Sequence, residues 1–111
     1  MTGTELEQGG HVYILASRRN GTLYIGVTAD LGTRIAAHQA GTASAFTREH
    51  NVHTLVWCEP HATITEAITR EKRLKEWKRA RKIDLIETAN PDWRDLLPTL
   101  LGADPGAPLP R

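Results

Sequence analysis

The chain has 111 residues and a net charge of +1, room for one domain only. At that size a fold buries roughly 65% of the surface its unfolded chain exposes. Hydrophobic residues at 40% and charged residues at 24% are ordinary globular proportions, which excludes collagen-like, low-complexity and wholly disordered chains. One cysteine, Cys58, excludes an intramolecular disulfide and a cysteine-built zinc cluster. No run approaches the ~18 apolar residues of a membrane span.

The first ten residues, MTGTELEQGG, lack the basic and apolar regions of a signal peptide, so a flexible N-terminus and a reducing cytoplasm are expected. His11 to Ser17 and Thr22 to Thr28 read as strands, apolar and partly β-branched. Between them Asn20-Gly21 signals a hairpin. Asp30 can cap a helix from Leu31 to about Gln39, and Gly41 stands where a helix-ending glycine belongs. Val52 to Cys58 alternates and reads as a third strand. Thr63 or Thr65 can cap a second helix, with Ile64, Ile68, Leu74 and Trp77 on its apolar side. A third helix runs from Lys82 to Thr88 and stops before Asn90-Pro91. A last short helix spans Trp93 to Leu97. Residues 102–111, GADPGAPLPR, read as a disordered Pro/Gly-rich tail. The working domain is therefore 11–101. Its order, β-β-α-β-α-α, is α+β: a three-stranded antiparallel sheet flanked by helices.

Charge is unevenly placed. Between Arg70 and Lys82 stand eight Lys/Arg and two Glu, leaving 6 basic and 11 acidic residues elsewhere. Such a run is either a solvated helix face or the footprint of an anionic partner.

Both tyrosines, Tyr13 and Tyr24, fall in the hairpin. Any even-numbered loop puts them on one face, because side chains alternate. A two-residue loop sets Tyr13 opposite Thr28. A four-residue loop, Arg18 to Gly21, sets it opposite Gly26 and makes the tyrosines diagonal neighbours. Gly26 then leaves open backbone where a ligand could approach. Alternatively both rings are half-buried core residues with wet hydroxyls. Arg34 and His38 are four apart on a helix and share a face. Arginine clamps phosphate bidentately, and histidine moves protons near neutral pH. Glu71 stands alone among bases. One carboxylate with phosphate oxygens and water is a common way to hold Mg²⁺; the local alternative is an ion pair with Lys75 four residues on.

These residues, in this order, resemble the GIY-YIG nuclease superfamily, particularly its small stand-alone bacterial members. The resemblance rests on Val12-Tyr13-Ile14, Leu23-Tyr24-Ile25-Gly26, the run from Gly26 to Leu31, Arg34 and His38. Phe46-Thr47-Arg48, Arg70-Glu71-Lys72 and Asn90-Pro91-Asp92-Trp93 complete it. It spans roughly His11 to Leu96, and departs in the first motif, where His11-Val12-Tyr13 replaces Gly-Ile-Tyr. The resemblance implies a divalent-metal-dependent endonuclease, with Mg²⁺ or Mn²⁺, that hydrolyses DNA phosphodiesters in repair or recombination. Glu71 matches the metal-binding glutamate and Arg34 the arginine on the scissile phosphate. Tyr13 and Tyr24 match the motif tyrosines, and His38 a histidine near the attacking water. Asn90 matches either a late active-site asparagine or a cap of the turn before Pro91.

A tyrosine with a pKa of about 10 is a weak base unless its pKa is lowered; His38, at about 6.5, is the other candidate. On one continuous helix Lys72, Lys75, Arg79 and Lys82 would form a stripe along a phosphate backbone, with Arg48 adding a contact. Trp77 reads as core rather than as a base-stacking platform. DNA is the expected partner, with a protein partner supplying site selection. The alternatives are a nuclease-like module that binds nucleic acid without cutting it, and an interaction domain with no nucleic-acid role. Preference among DNA structures, DNA against RNA, and oligomeric state are not written in these motifs. If the basic run grips DNA, affinity measured by fluorescence anisotropy falls steeply between about 50 and 200 mM salt; a flat response overturns that reading.

Overall fold

The computed structural model describes residues 9–100. The expected tail, and all but the last two residues of the expected flexible N-terminus, lie outside the described residues. Gly10, expected in that extension, instead opens the first strand. The elements are β1 (Gly10–Ala16), β2 (Leu23–Thr28), α1 (Leu31–Gln39), α2 (Ala45–Glu49), β3 (Thr54–His61), α3 (Ile64–Glu76), α4 (Arg79–Ala89) and α5 (Leu97–Leu100). The antiparallel sheet has the order β2-β1-β3.

The hairpin takes the four-residue loop. Gly21 N–H donates to the Arg18 carbonyl at 2.9 Å, and Tyr13 pairs with Gly26. β1 is the central strand, and its alternation sorts the core into two layers. Val12, Ile14 and Ala16 pack with Ala67 and Leu74 of α3, Ile86 of α4 and Trp93. Tyr13 and Leu15 face the other way, onto Leu31 and Ile35 of α1.

Helix boundaries follow local chemistry. Asp30 caps α1, accepting the Thr33 N–H at 3.2 Å. Gly41, at φ +78°, ends it: Gly41 N–H donates to the His38 carbonyl and Thr42 N–H to that of Ala37, the paired bonds of a Schellman stop. Of the two candidate caps for α3, Thr63 is used; its Oγ1 accepts from Glu66 N–H at 3.1 Å. Ile68, expected on the apolar side, is exposed, and Ala67 takes the buried position.

Three expectations change. The segment between α1 and β3 carries α2, whose five residues are too few to show a period. The basic run is not one helix. Trp77 and Lys78 have ψ of 146° and 152°, extended values that break the i→i−4 ladder, so α4 starts at Arg79 rather than Lys82. Trp77 packs against the core as expected, with the Arg81 guanidinium 3.8 Å from its ring centroid. Finally, Trp93 does not begin a helix. It is buried at φ +54°, its Nε1–H donates to Glu87 at 2.8 Å, and Leu96 N–H donates to the Leu55 carbonyl at 2.8 Å. The chain is therefore laid along β3 before α5 forms.

A register shift between Ile14 and Leu15 leaves Val56 as an extra residue in β3, because Ile14 pairs with Trp57 and Leu15 with Leu55. Its carbonyl accepts from Asn90 Nδ2 at 3.0 Å. Asn90 Nδ2 also donates to the Arg94 carbonyl, while Oδ1 accepts from Arg94 N–H, both at 3.0 Å. Of its two expected roles, Asn90 thus performs the turn-capping one: its buried amide ties the end of α4 to the bulge. Asn90→Ala removes these bonds, including the one to the buried Val56 carbonyl. The expected destabilisation, read by urea unfolding, is about 1–3 kcal/mol.

Candidate active site

The hairpin, α1 and α3 bring the expected groups together. Tyr13 lies across Gly26, where any Cβ would overlap its ring. The backbone expected to be open to a ligand is therefore covered by the tyrosine. The Tyr13 and Tyr24 ring centroids are 6.3 Å apart. His38 sits 5.7 Å from the first ring and 5.1 Å from the second. Tyr13 and His38 are 1% and 2% exposed, whereas Tyr24 and Arg34 are half-buried.

Tyr13 Oη is 2.9 Å from His38 Nε2. The Arg34 guanidinium faces the Tyr13 hydroxyl and interacts with Tyr24 as well. Burial pushes the Tyr13 pKa above 10.0, and the neighbouring Arg34 only partly offsets this; the Tyr24 phenol and the Glu71 carboxylate push it further up. Burial, aided by the Arg34 charge, holds His38 below 6.5, so its imidazole is neutral at pH 7. The histidine is a ready acceptor, and the phenol keeps its proton until something takes it.

Glu71 is close enough to act electrostatically on Tyr13. Its carboxylate also makes the ion pair with Lys75, at 2.9 Å; the glutamate side chain is 13% exposed and the lysine 55%. Among the described residues no group of three His, Cys, Asp or Glu could hold a metal. The donor set still fits one divalent ion, bound by Glu71 with phosphate oxygens and water completing the shell. Lys75, with its side chain 55% exposed, can swing into solvent and is a displaceable occupant.

The expected basic residues do not form one line. Lys75 and Lys82 line a shallow depression of about 320 Å³ with Leu23, Tyr24, Ile25 and Phe46. Lys82 Nζ donates to the Lys75 carbonyl at 3.3 Å, a cation at the unpaired end of α3. Lys72 is exposed on α3 and Arg48 on α2. Arg79 holds the hairpin turn instead, donating to the Asn20 and Gly21 carbonyls at 2.6 and 2.5 Å.

Two neighbours carry no role in the sequence reading. Phe46 is 43% exposed, 6.2 Å from the Tyr24 ring and 4.4 Å from that of His50. Thr47, the buried residue of α2, has its Oγ1 3.1 Å from His38 Nδ1. The signal for both was Ser44, whose hydroxyl caps α2 by accepting from Thr47 N–H.

The sequence that builds this cleft has relatives. Residues 9–84 match the family described as the GIY-YIG catalytic domain. The chain belongs to that family. It is 34% identical over 82 residues to a UPF0213 protein of Bacillus pumilus, covering 74% of this chain and 84% of that one. It is 39% identical over 72 residues to the UPF0213 protein VNG_2274C of Halobacterium salinarum, covering 65% and 92%. A solution NMR structure of the UPF0213 protein BH0048 from Bacillus halodurans aligns with a TM-score of 0.47 at 29% identity, over 74% of this chain and 86% of that one.

The depressed His38 pKa sets a pH dependence on this GIY-YIG domain. The unfolded chain binds a proton at His38 near pH 6.5 and the folded chain only below that. This contribution to stability is therefore complete above pH 6.5 and is lost as pH falls through the folded-state pKa. Urea unfolding from about pH 7.5 to about 5.5 should show a decline that is smaller in His38→Gln; equal slopes in the two proteins contradict the assignment.

Proposed function

We propose that this chain is a divalent-metal-dependent endonuclease that hydrolyses DNA phosphodiester bonds. The observation that carries the reading is the Tyr13 hydroxyl, held 2.9 Å from a neutral His38 Nε2 and faced by Arg34, with Glu71 within electrostatic reach. A Mg²⁺ or Mn²⁺ ion on Glu71 would supply Lewis-acid polarisation of the phosphate and stabilise the leaving oxygen.

The chain's own groups do the rest. Arg34 neutralises charge growing on the non-bridging oxygens. His38 is buried with both ring nitrogens engaged, so it cannot meet a water without giving up a partner. Tyr13 is therefore the group that takes the proton of the attacking water, passing its own to His38. Tyr13 is nearly sealed, so that water enters with the phosphate, past the half-buried Tyr24 and Arg34. Lys75 leaves Glu71 for a phosphate, and Lys82 holds a neighbouring one. Phe46 offers its exposed face to a base, a contact worth about 1–3 kcal/mol. Lys72 and Arg48 extend the contact to flanking phosphates. Arg79 is bonded to the hairpin turn, so it supports the site indirectly. The reading extends to a role in repair or recombination, with a protein partner choosing the site.

The Glu71–Lys75 pair is the one observation favouring the second reading, a module that binds nucleic acid without cutting it. A nicking assay with Mg²⁺ or Mn²⁺ on supercoiled plasmid and on branched and single-stranded oligonucleotides decides. Cutting is expected, and Glu71→Ala, shown folded by circular dichroism, should lower it on the order of 100-fold or more, the worth of several kcal/mol. Salt-sensitive binding without cutting selects the module. Cutting that persists in Glu71→Ala removes Glu71 from the metal site.

A further inference from the structure

We infer that Thr47 is a positioning residue that locks His38 in the tautomer whose Nε2 lone pair faces the Tyr13 hydroxyl. The catalytic consequence rests on the nuclease reading above; the tautomer does not. Both partners of the His38 ring are hydroxyls: Tyr13 Oη at Nε2, 2.9 Å away, and Thr47 Oγ1 at Nδ1, 3.1 Å away. A hydroxyl can donate or accept, so these two contacts alone allow either tautomer.

The ends of the chain remove the ambiguity. Thr47 Oγ1 is 3.2 Å from the Ser44 carbonyl, which can only accept. That carbonyl also takes the Arg48 N–H at 3.2 Å, using its second lone pair. Donating to Ser44, Thr47 presents a lone pair to His38, so Nδ1 carries the hydrogen. With hydrogen on Nδ1, the Nε2 lone pair is left to accept from the Tyr13 hydroxyl, and the positive Arg34 on the other side of the phenol favours a phenolic hydrogen turned away from it, toward Nε2. The order is Tyr13 to His38 to Thr47 to the Ser44 carbonyl, every donor pointing the same way.

Burial makes the order binding. Tyr13, His38 and Thr47 are 1%, 2% and 1% exposed, so water does not substitute for a lost partner. A threonine buried on an otherwise exposed helix makes sense through its hydroxyl. The backbone of α2 thereby sets which nitrogen of α1's histidine is basic, a second-layer role of the kind that fixes histidine tautomers elsewhere.

The test uses the full chain with ¹⁵N-labelled histidine, the His38 signals being assigned by their loss in His38→Gln. In the parent chain near neutral pH, two-bond ¹H–¹⁵N correlations are expected to show hydrogen on Nδ1. Thr47→Val should shift His38 toward the Nε2–H form, and Thr47→Ser should restore the parent pattern. In the nicking assay Thr47→Val should lower kcat on the order of 10-fold, with KM unchanged and Thr47→Ser recovering most of it. Hydrogen on Nε2 in the parent chain overturns the inference, whether or not any variant folds. So does an unaltered tautomer in Thr47→Val or, should that variant not fold, in Thr47→Ala. If no variant cuts DNA, the nuclease reading fails while the spectra still decide the role of Thr47.

Discussion

Every group in the cleft takes its place from where the Tyr13 ring crosses Gly26. The four-residue loop pairs these two positions, and the missing Cβ lets the ring lie flat across the neighbouring strand. From there the phenol reaches over the sheet to His38 on α1. A two-residue loop would slide β2 along β1 and put Thr28 in that place, leaving both phenols on the same face but the ring without its seat. Hairpin register, a backbone property, is thus what sets the chemistry.

The sequence made much of this legible because its strongest signals are local. Asn20-Gly21 announced the hairpin, Asp30 and Gly41 bounded α1, and the spacing of Arg34 and His38 put them on one face. The opaque parts depend on contacts made at a distance. No glycine or proline in the run from Arg70 to Lys82 fixes where one helix ends and the next begins. The helix ends because Trp77 is drawn against the core. Trp93 likewise leaves helical geometry for a buried site whose walls come from β1, β3, α3 and α4. Five-residue α2 has no period to read, so Phe46 and Thr47 could be quoted as a motif but not placed.

Splitting the basic run divides its labour. Lys75 and Lys82, seven apart, meet at one depression because two helices, not one, carry them there. Arg79 braces the hairpin turn, and Arg70 pairs with Glu59 at 3.0 Å. Only part of the local excess of positive charge therefore faces the cleft. Net charge over a window overstated how many of its side chains are available there.

The surplus residue in β3 has a consequence for reading that strand. A strand between two layers sorts its side chains by parity, odd numbers to one side and even to the other. Val56 resets that count. Leu55 and Cys58, of opposite parity, both join the Tyr13 layer, while consecutive Val56 and Trp57 both enter the opposite one. Parity carried straight through would have put Leu55 and Trp57 on the same side. The strand sends two consecutive side chains, Val56 and Trp57, into its larger core by changing phase once at a carbonyl that Asn90 holds.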